Sequence, residues 1–165
     1  MPSLVSVVAP FYNEERNPTL LAERLDAVFD SLEGYTCEYV FVNDGSTDGT
    51  GAELDRIASA NPRVKALHFP KNSGQSAALV AGMRHSEGEY ILTLDGDLQN
   101  DPADFPRFLE LLQEFDCVCG VRQHRQDVWL RTFSSGVANH VRNRILHDGI
   151  SDAGCGAKGF RRPLD

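Results

Sequence analysis

The chain has 165 residues, with 24 acidic against 16 basic side chains and a formal net charge of -8. That length is enough for one domain with a real core. The acidic balance argues against a general nucleic-acid binder, whose footprint is basic, while leaving room for a local basic patch. The four cysteines, Cys37, Cys117, Cys119 and Cys155, lack the paired CxxC spacing of a zinc site.

Cys37 and Cys117 lie beside apolar runs and are expected to be buried thiols in a reducing compartment. Met1 to Pro10 has no basic start, so no secretory leader is expected. No apolar stretch reaches the length of a membrane span.

In chain order, "LVSVVAP" is a short apolar run closed by Pro10 and reads as a buried strand. Leu20 to Leu32 places Leu21, Leu25, Val28, Phe29 and Leu32 on a helical stripe. "CEYVFVND" is a second strand, followed by the turn-formers "DGSTDGT". A helix is expected over Thr50 to Ala60, a strand over "VKALHF", and a helix over Ser76 to His85. "YILTL" is a fourth strand with "DGDLQNDP" as its exit loop. A helix over Ala103 to Phe115 and a fifth strand, "DCVCGV", follow. Val128 to Leu146 reads as one long amphipathic helix before a Gly-rich stretch.

Apolar strands alternating with helices imply a mostly parallel sheet covered on both faces. Ligands then bind beyond the carboxyl ends of the strands. The chemistry-bearing residues fall there: Tyr12 to Glu14, Asp44, Asn72 to Gln75, Asp95 to Gln99, and Arg122. The first strand runs into "PFYNEE" rather than GxGxxG, and neither GKS nor GKT occurs, which removes the usual dinucleotide fold and the P-loop.

"DGSTDGTGAELD" spaces Asp44, Ser46, Asp48, Gly49 and Asp55 like a calcium loop, but a strand precedes it where a helix should. A tight turn into a helix cap, with Ser46, Thr47, Asp48 or Thr50 as capping residue, accounts for most of it. Asp44, at the strand tip, is left over. Asp95 and Asp97 flank Gly96, and two like charges so close need a positive partner. An Asx turn plus a helix start at Asp101-Pro102 is the plain alternative. Beside Asp44 at the sheet's end, the two carboxylates with the amide oxygen of Gln99 suit Mg²⁺ or Mn²⁺ carrying a diphosphate. Arg122 follows a strand end, and its guanidinium suits phosphate oxygens. His68, His85, His140 and His147 lack metal spacing and are expected to be structural or exposed.

Together "VVAPFYNEE", "FVNDGSTDGT", "NSGQSAALVAGM" and "LDGDLQNDP" resemble the family 2 glycosyltransferases of the GT-A fold. "GVRQHRQDVWLR", Ser135, Asn139 and "DAGCGAKGFRR" are similar to its polyprenyl-phosphate branch, which includes undecaprenyl- and dolichol-phosphate sugar transferases. The resemblance implies an α/β GT-A catalytic domain over 1–165, cut before C-terminal membrane-associated segments.

It also implies an inverting enzyme at the cytoplasmic face of the inner membrane. The donor would be a UDP- or GDP-linked sugar and the acceptor a polyprenyl phosphate. By resemblance, Pro10, Tyr12, Glu14 and Asp44 would surround the base and ribose, and Asn72, Gly74 and Gln75 would close over the nucleotide. Asp95, Asp97 and Gln99 would hold the metal and diphosphate. Arg122, Arg131 and Ser135 would bind the lipid phosphate, and Asp152 to Arg161 would border the acceptor. The sequence departs from the family at Gly96, where alanine is usual, and in a shorter Arg122–Arg131 linker. A hydroxyl acceptor, with Asp152 as base, and a non-catalytic nucleotide-sugar module are the rival readings. Oligomeric state is left open.

Overall fold

The computed structural model describes residues 1–121 and 155–162. Its strands are β1 (Ser3–Phe11), β2 (Tyr35–Asn43), β3 (Val64–His68), β4 (Tyr90–Thr93), β5 (Cys117–Cys119) and β6 (Lys158–Arg161). The helices are α1 (Asn17–Phe29), α2 (Thr50–Ala60), α3 (Gln75–His85) and α4 (Phe105–Leu111). The sheet order is β3-β2-β1-β4-β6-β5. β1 pairs in parallel with both β2 and β4, and β2 in parallel with β3. β6 runs antiparallel to β4 and β5. The expected α/β architecture, mostly parallel with helices on both faces, is the one observed.

Strand alternation assigns the faces. Val5, Val7, Ala9 and Phe11 of β1 join Leu21, Leu25 and Phe29 of α1, Leu54 and Ile57 of α2, and Phe105, Phe108 and Leu109 of α4 in the main core. α1 serves this core because Leu21, Leu25 and Phe29 recur at four-residue spacing. Burying each such side chain contributes about 1.5–3 kcal/mol. The opposite face is covered by α3, which sits on β1 and β2. A Cβ on Gly82 would lie 2.3 Å from Val8 and 3.2 Å from Val42, so the missing side chain lets α3 approach the sheet.

Several elements differ from expectation. α1 starts earlier, with Pro18 in its first turn, and stops at Phe29. The helix expected over Ala103 to Phe115 divides into a 3-10 turn, Pro102–Asp104, and the short α4. Pro102 and Pro106 supply no N–H, and each opens one of these pieces. β5 does not extend the parallel run, because β6 inserts between it and β4. β6 ("KGFR") is too short and too polar to announce itself, and it forms by pairing Thr93 with Lys158.

Cys117 is exposed and Cys37 half-buried, contrary to the expectation for both; Cys155 is the buried thiol. Cys117 opens β5, the edge strand of the sheet. His68 is structural, bridging Asn43 Nδ2 at 3.2 Å and Asp55 Oδ1 at 3.0 Å. Among the described residues no helix is long and apolar enough to cross a membrane.

Candidate active site

The strand tips open onto a cleft of about 530 Å³. β1 and its exit loop contribute Pro10, Phe11, Tyr12 and Glu14. Asp44 follows β2, and Asn72, Gly74 and Gln75 lead into α3. Asp95, Gly96 and Asp97 follow β4. Of the residues expected from sequence, Pro10, Tyr12, Glu14, Asp44, Asn72, Gly74, Gln75, Asp95 and Asp97 line one cleft, and Ser73 does not. Gln99 is not in this lining; its N–H donates to Asp97 Oδ1 at 3.1 Å, so Asp97 does close an Asx turn. Arg122, Arg131, Ser135, Asp152 and the helix expected over Val128–Leu146 lie outside the described residues.

The exit loops are laced together. Asn13, at φ 56, accepts from Thr47 N–H at 2.8 Å, and its own N–H donates to Ser46 Oγ at 3.0 Å. Glu14 N–H donates to Thr50 Oγ1 at 2.9 Å, and the Glu14 carboxylate accepts from Asn17 Nδ2 at 2.6 Å. None of the expected capping residues sits at the α2 N-cap, which is Gly49 with no side-chain cap; Asp48, just before it, accepts from Thr50 N–H at 3.0 Å. Burial pushes its carboxyl up, but hydrogen bonds led by the Thr50 hydroxyl outweigh this and hold it below the usual range.

Parity places Asp44 and Asp95 on the α3 side of the sheet, continuing Val40–Val42 and Ile91–Thr93. The start of α3 answers both. Ser73 N–H donates to Asp44 Oδ1 at 2.7 Å, and Gly74 N–H to Asp44 Oδ2 at 2.9 Å. The side-chain amide of Gln75 donates to Asp95 Oδ1. Gly74 has φ 91 and ψ 150, a region open to glycine almost alone, and this turn aims both N–H groups at Asp44. The positive end of the α3 dipole points the same way. Asp44, 3% exposed, thus has a structural task that turn chemistry did not foresee.

β4 and its exit carry further constraints. Thr93 Oγ1 donates to Gly156 O at 2.8 Å, which draws the lead-in to β6 over the strand tip. Leu98 takes φ 63, strain held just after the acidic pair. A Cβ on Gly96 would sit 2.5 Å from Pro10 O and 2.6 Å from the Phe11 ring. A glycine at position 96 is therefore matched to this chain's packing. Asp101 Oδ1 accepts from Ala103 N–H at 3.0 Å, so the helix start at Asp101-Pro102 is also present. Phe11 and Gly156 were not singled out from sequence; the Gly-rich "DAGCGAKGF" was the available signal for the second.

Among the described residues no group of three or more His, Cys, Asp or Glu side chains forms a metal cluster. Of the four carboxylates lining the cleft, Glu14 is held by Asn17 and Asp44 by the start of α3, which leaves the β4 exit pair, Asp95 half-buried and Asp97 exposed, as the candidate donors. Mg²⁺ and Mn²⁺ favour hard oxygens, and Mg²⁺ commonly binds through one or two carboxylates plus substrate phosphates. The donor set fits such an ion.

The family described as glycosyl transferase family 2 matches residues 6–165. An undecaprenyl-phosphate 4-deoxy-4-formamido-L-arabinose transferase from Edwardsiella ictaluri is 41% identical over 160 residues, covering 95% of this chain and 49% of the relative. The enzyme of that name from Aeromonas hydrophila is 38% identical over 164 residues, covering 98% and 50%. The chain thus spans about half the length of these relatives.

Among solved structures, a mannosyltransferase from Pyrobaculum calidifontis in complex with GDP-Man and Mn²⁺ superposes with TM-score 0.63 at 23% identity, covering 98% of this chain and 45% of that one. Glucosyl-3-phosphoglycerate synthase from Mycobacterium tuberculosis with Mn²⁺, UDP-glucose and phosphoglyceric acid gives 0.71 at 17% identity, covering 96% and 56%. These structures share the GT-A fold with it. The chain belongs to glycosyl transferase family 2.

Proposed function

We propose that the chain is the donor-binding part of an inverting glycosyltransferase that moves a sugar from a nucleoside diphosphate to a polyprenyl phosphate such as undecaprenyl phosphate. The observation that carries the reading is the convergence of Asp44, Asp95 and Asp97 with the α3 N-terminus on one cleft. The names of the relatives favour undecaprenyl phosphate as acceptor.

In this reading Pro10, Tyr12, Glu14 and Asp44 form the nucleoside end. Asn72, Gly74 and Gln75 cover the diphosphate, and Asp95 and Asp97 hold Mg²⁺ or Mn²⁺, without Gln99, which lies outside the cleft lining. When bound, the cation offsets charge growing on the leaving diphosphate. An acceptor phosphate oxygen attacks the anomeric carbon from the face opposite the leaving group. The bond to the diphosphate oxygen breaks, the configuration inverts, and the nucleoside diphosphate departs. A phosphate monoester has its second pKa near ~6, so it is ionised at neutral pH and needs no general base. Arg122, Arg131 and Ser135 are proposed to receive the lipid phosphate. The whole protein is proposed to work at the cytoplasmic face of the bacterial inner membrane, anchored by segments beyond this chain.

A donor screen on the full-length protein with undecaprenyl phosphate, read by mass spectrometry, tests this. Solved neighbours hold both UDP- and GDP-linked sugars, so both classes enter the screen. A glycosylated lipid phosphate, lost in Asp97→Ala, is the expected product. Transfer to soluble glycans alone would transfer the case to a hydroxyl acceptor, and nucleotide binding without any product would leave only a binding module.

A further inference from the structure

We propose that Gln75 competes with the divalent cation for Asp95, its side-chain amide filling the cation's place until metal enters. This rests on the reading of Asp95 and Asp97 as the cation site. Asp95 Oδ1 accepts from Gln75 Nε2, so one oxygen that would face a metal is already held by a donor. Asp44 grips the two residues just before Gln75, through Ser73 N–H at 2.7 Å and Gly74 N–H at 2.9 Å. Ala77 and Ala78 N–H both donate to Gly74 O, at 3.0 and 3.1 Å, so the first turn of α3 is closed. The backbone of Gln75 is therefore anchored on both sides, and only its side-chain torsions need change for release. Gln75 is exposed and lines the cleft, so a released amide stays beside the donor's anionic oxygens.

The amide neutralises part of the Asp95 charge without adding a charge of its own. A cation does so fully and displaces it. Asp44 and Asp95 thereby both have an internal partner from one stretch, Ser73 to Gln75. Gln75 acts through Asp95 as a positioning residue, and a merely structural role predicts the opposite sign of effect on metal binding.

The test is Mn²⁺ binding without nucleotide, read by electron paramagnetic resonance of free Mn²⁺, on the full-length protein. Gln75→Met keeps length and removes the donor; Gln75→Ala is the second variant, and melting curves check the fold of both. Removing one hydrogen bond to a charged, solvent-facing group should tighten Mn²⁺ binding by about two- to tenfold. Unchanged or weaker binding in both variants overturns the proposal. Asp97→Ala separates the two readings. If it abolishes Mn²⁺ binding while the Gln75 variants match wild type, the competition alone fails. If Mn²⁺ binding is absent from wild type, or survives Asp97→Ala, the cation site itself fails and the competition with it.

Discussion

Gly156 lies against Asp95 so closely that a Cβ there would sit 2.1 Å from Oδ2 and 2.2 Å from Cγ. The two residues are far apart in sequence, and the Thr93–Gly156 hydrogen bond holds them in place. An empty position on one strand lead-in therefore sets the side-chain angle of an acidic residue on another.

Gly156→Ala should force Asp95 out of this rotamer. An off-rotamer side chain costs about 0.5–1.5 kcal/mol. Mn²⁺-dependent nucleotide binding should weaken by about two- to tenfold, with a much smaller loss in melting temperature. Calorimetric titration beside a thermal melt reads both. A large melting shift with unaltered binding would show that Gly156 serves the fold and not the site.

Asp44→Asn should destabilise the protein even without ligand. Asparagine keeps one acceptor oxygen and turns an NH₂ toward the other backbone donor. Losing one partner at a buried group costs about 1–3 kcal/mol. Urea denaturation should show a lower midpoint, and hydrogen exchange should speed at Ser73 and Gly74. Unaltered stability would mean that the grip on α3 is not what Asp44 supplies.

Glu38 contributes to the acid limb of stability. It is 6% exposed, on the α3 side near the start of the sheet. Lys65 Nζ lies 2.7 Å from Oε2, while Ser6 Oγ and Glu87 N–H each donate to Oε1 at 2.6 Å. Burial pushes its carboxyl up, but these partners, led by Lys65, outweigh it and lower the pKa below the model-compound 4.5. A lowered folded-state pKa adds stability that is present above 4.5 and lost as pH falls through the folded value. Glu38→Gln should thus be less stable than wild type at pH 7, and the gap should narrow as the pH falls from 4.5 through the folded value. Stability curves from pH 2 to pH 7 in roughly half-unit steps would show it; parallel curves for the two proteins would contradict it.

The expected strands and helices rest on periodicity, and that part of the fold was legible because burial on one face repeats along an element. α2 matches its expected bounds, since Leu54 and Ile57 mark its buried face and Asn61-Pro62 ends it. β6 was not legible, because "KGFR" is a strand only through its neighbours β4 and β5. α4 was overextended because its apolar stripe runs on past Leu111, where the chain leaves the helix in turns.

Sequence by itself determined which residue types stand at the strand ends: Asp44, Gln75, Asp95 and Asp97 were placed by counting from apolar runs. Short-range chemistry decides that much, for a strand must end where its apolar residues end. Tertiary structure alone decided the pairings. Gln75 meets Asp95, and Asp44 holds the chain before α3, because β2 and β4 flank β1 and α3 packs across that face. Such contacts depend on sheet order and strand parity together, and neither is written in any single stretch of chain.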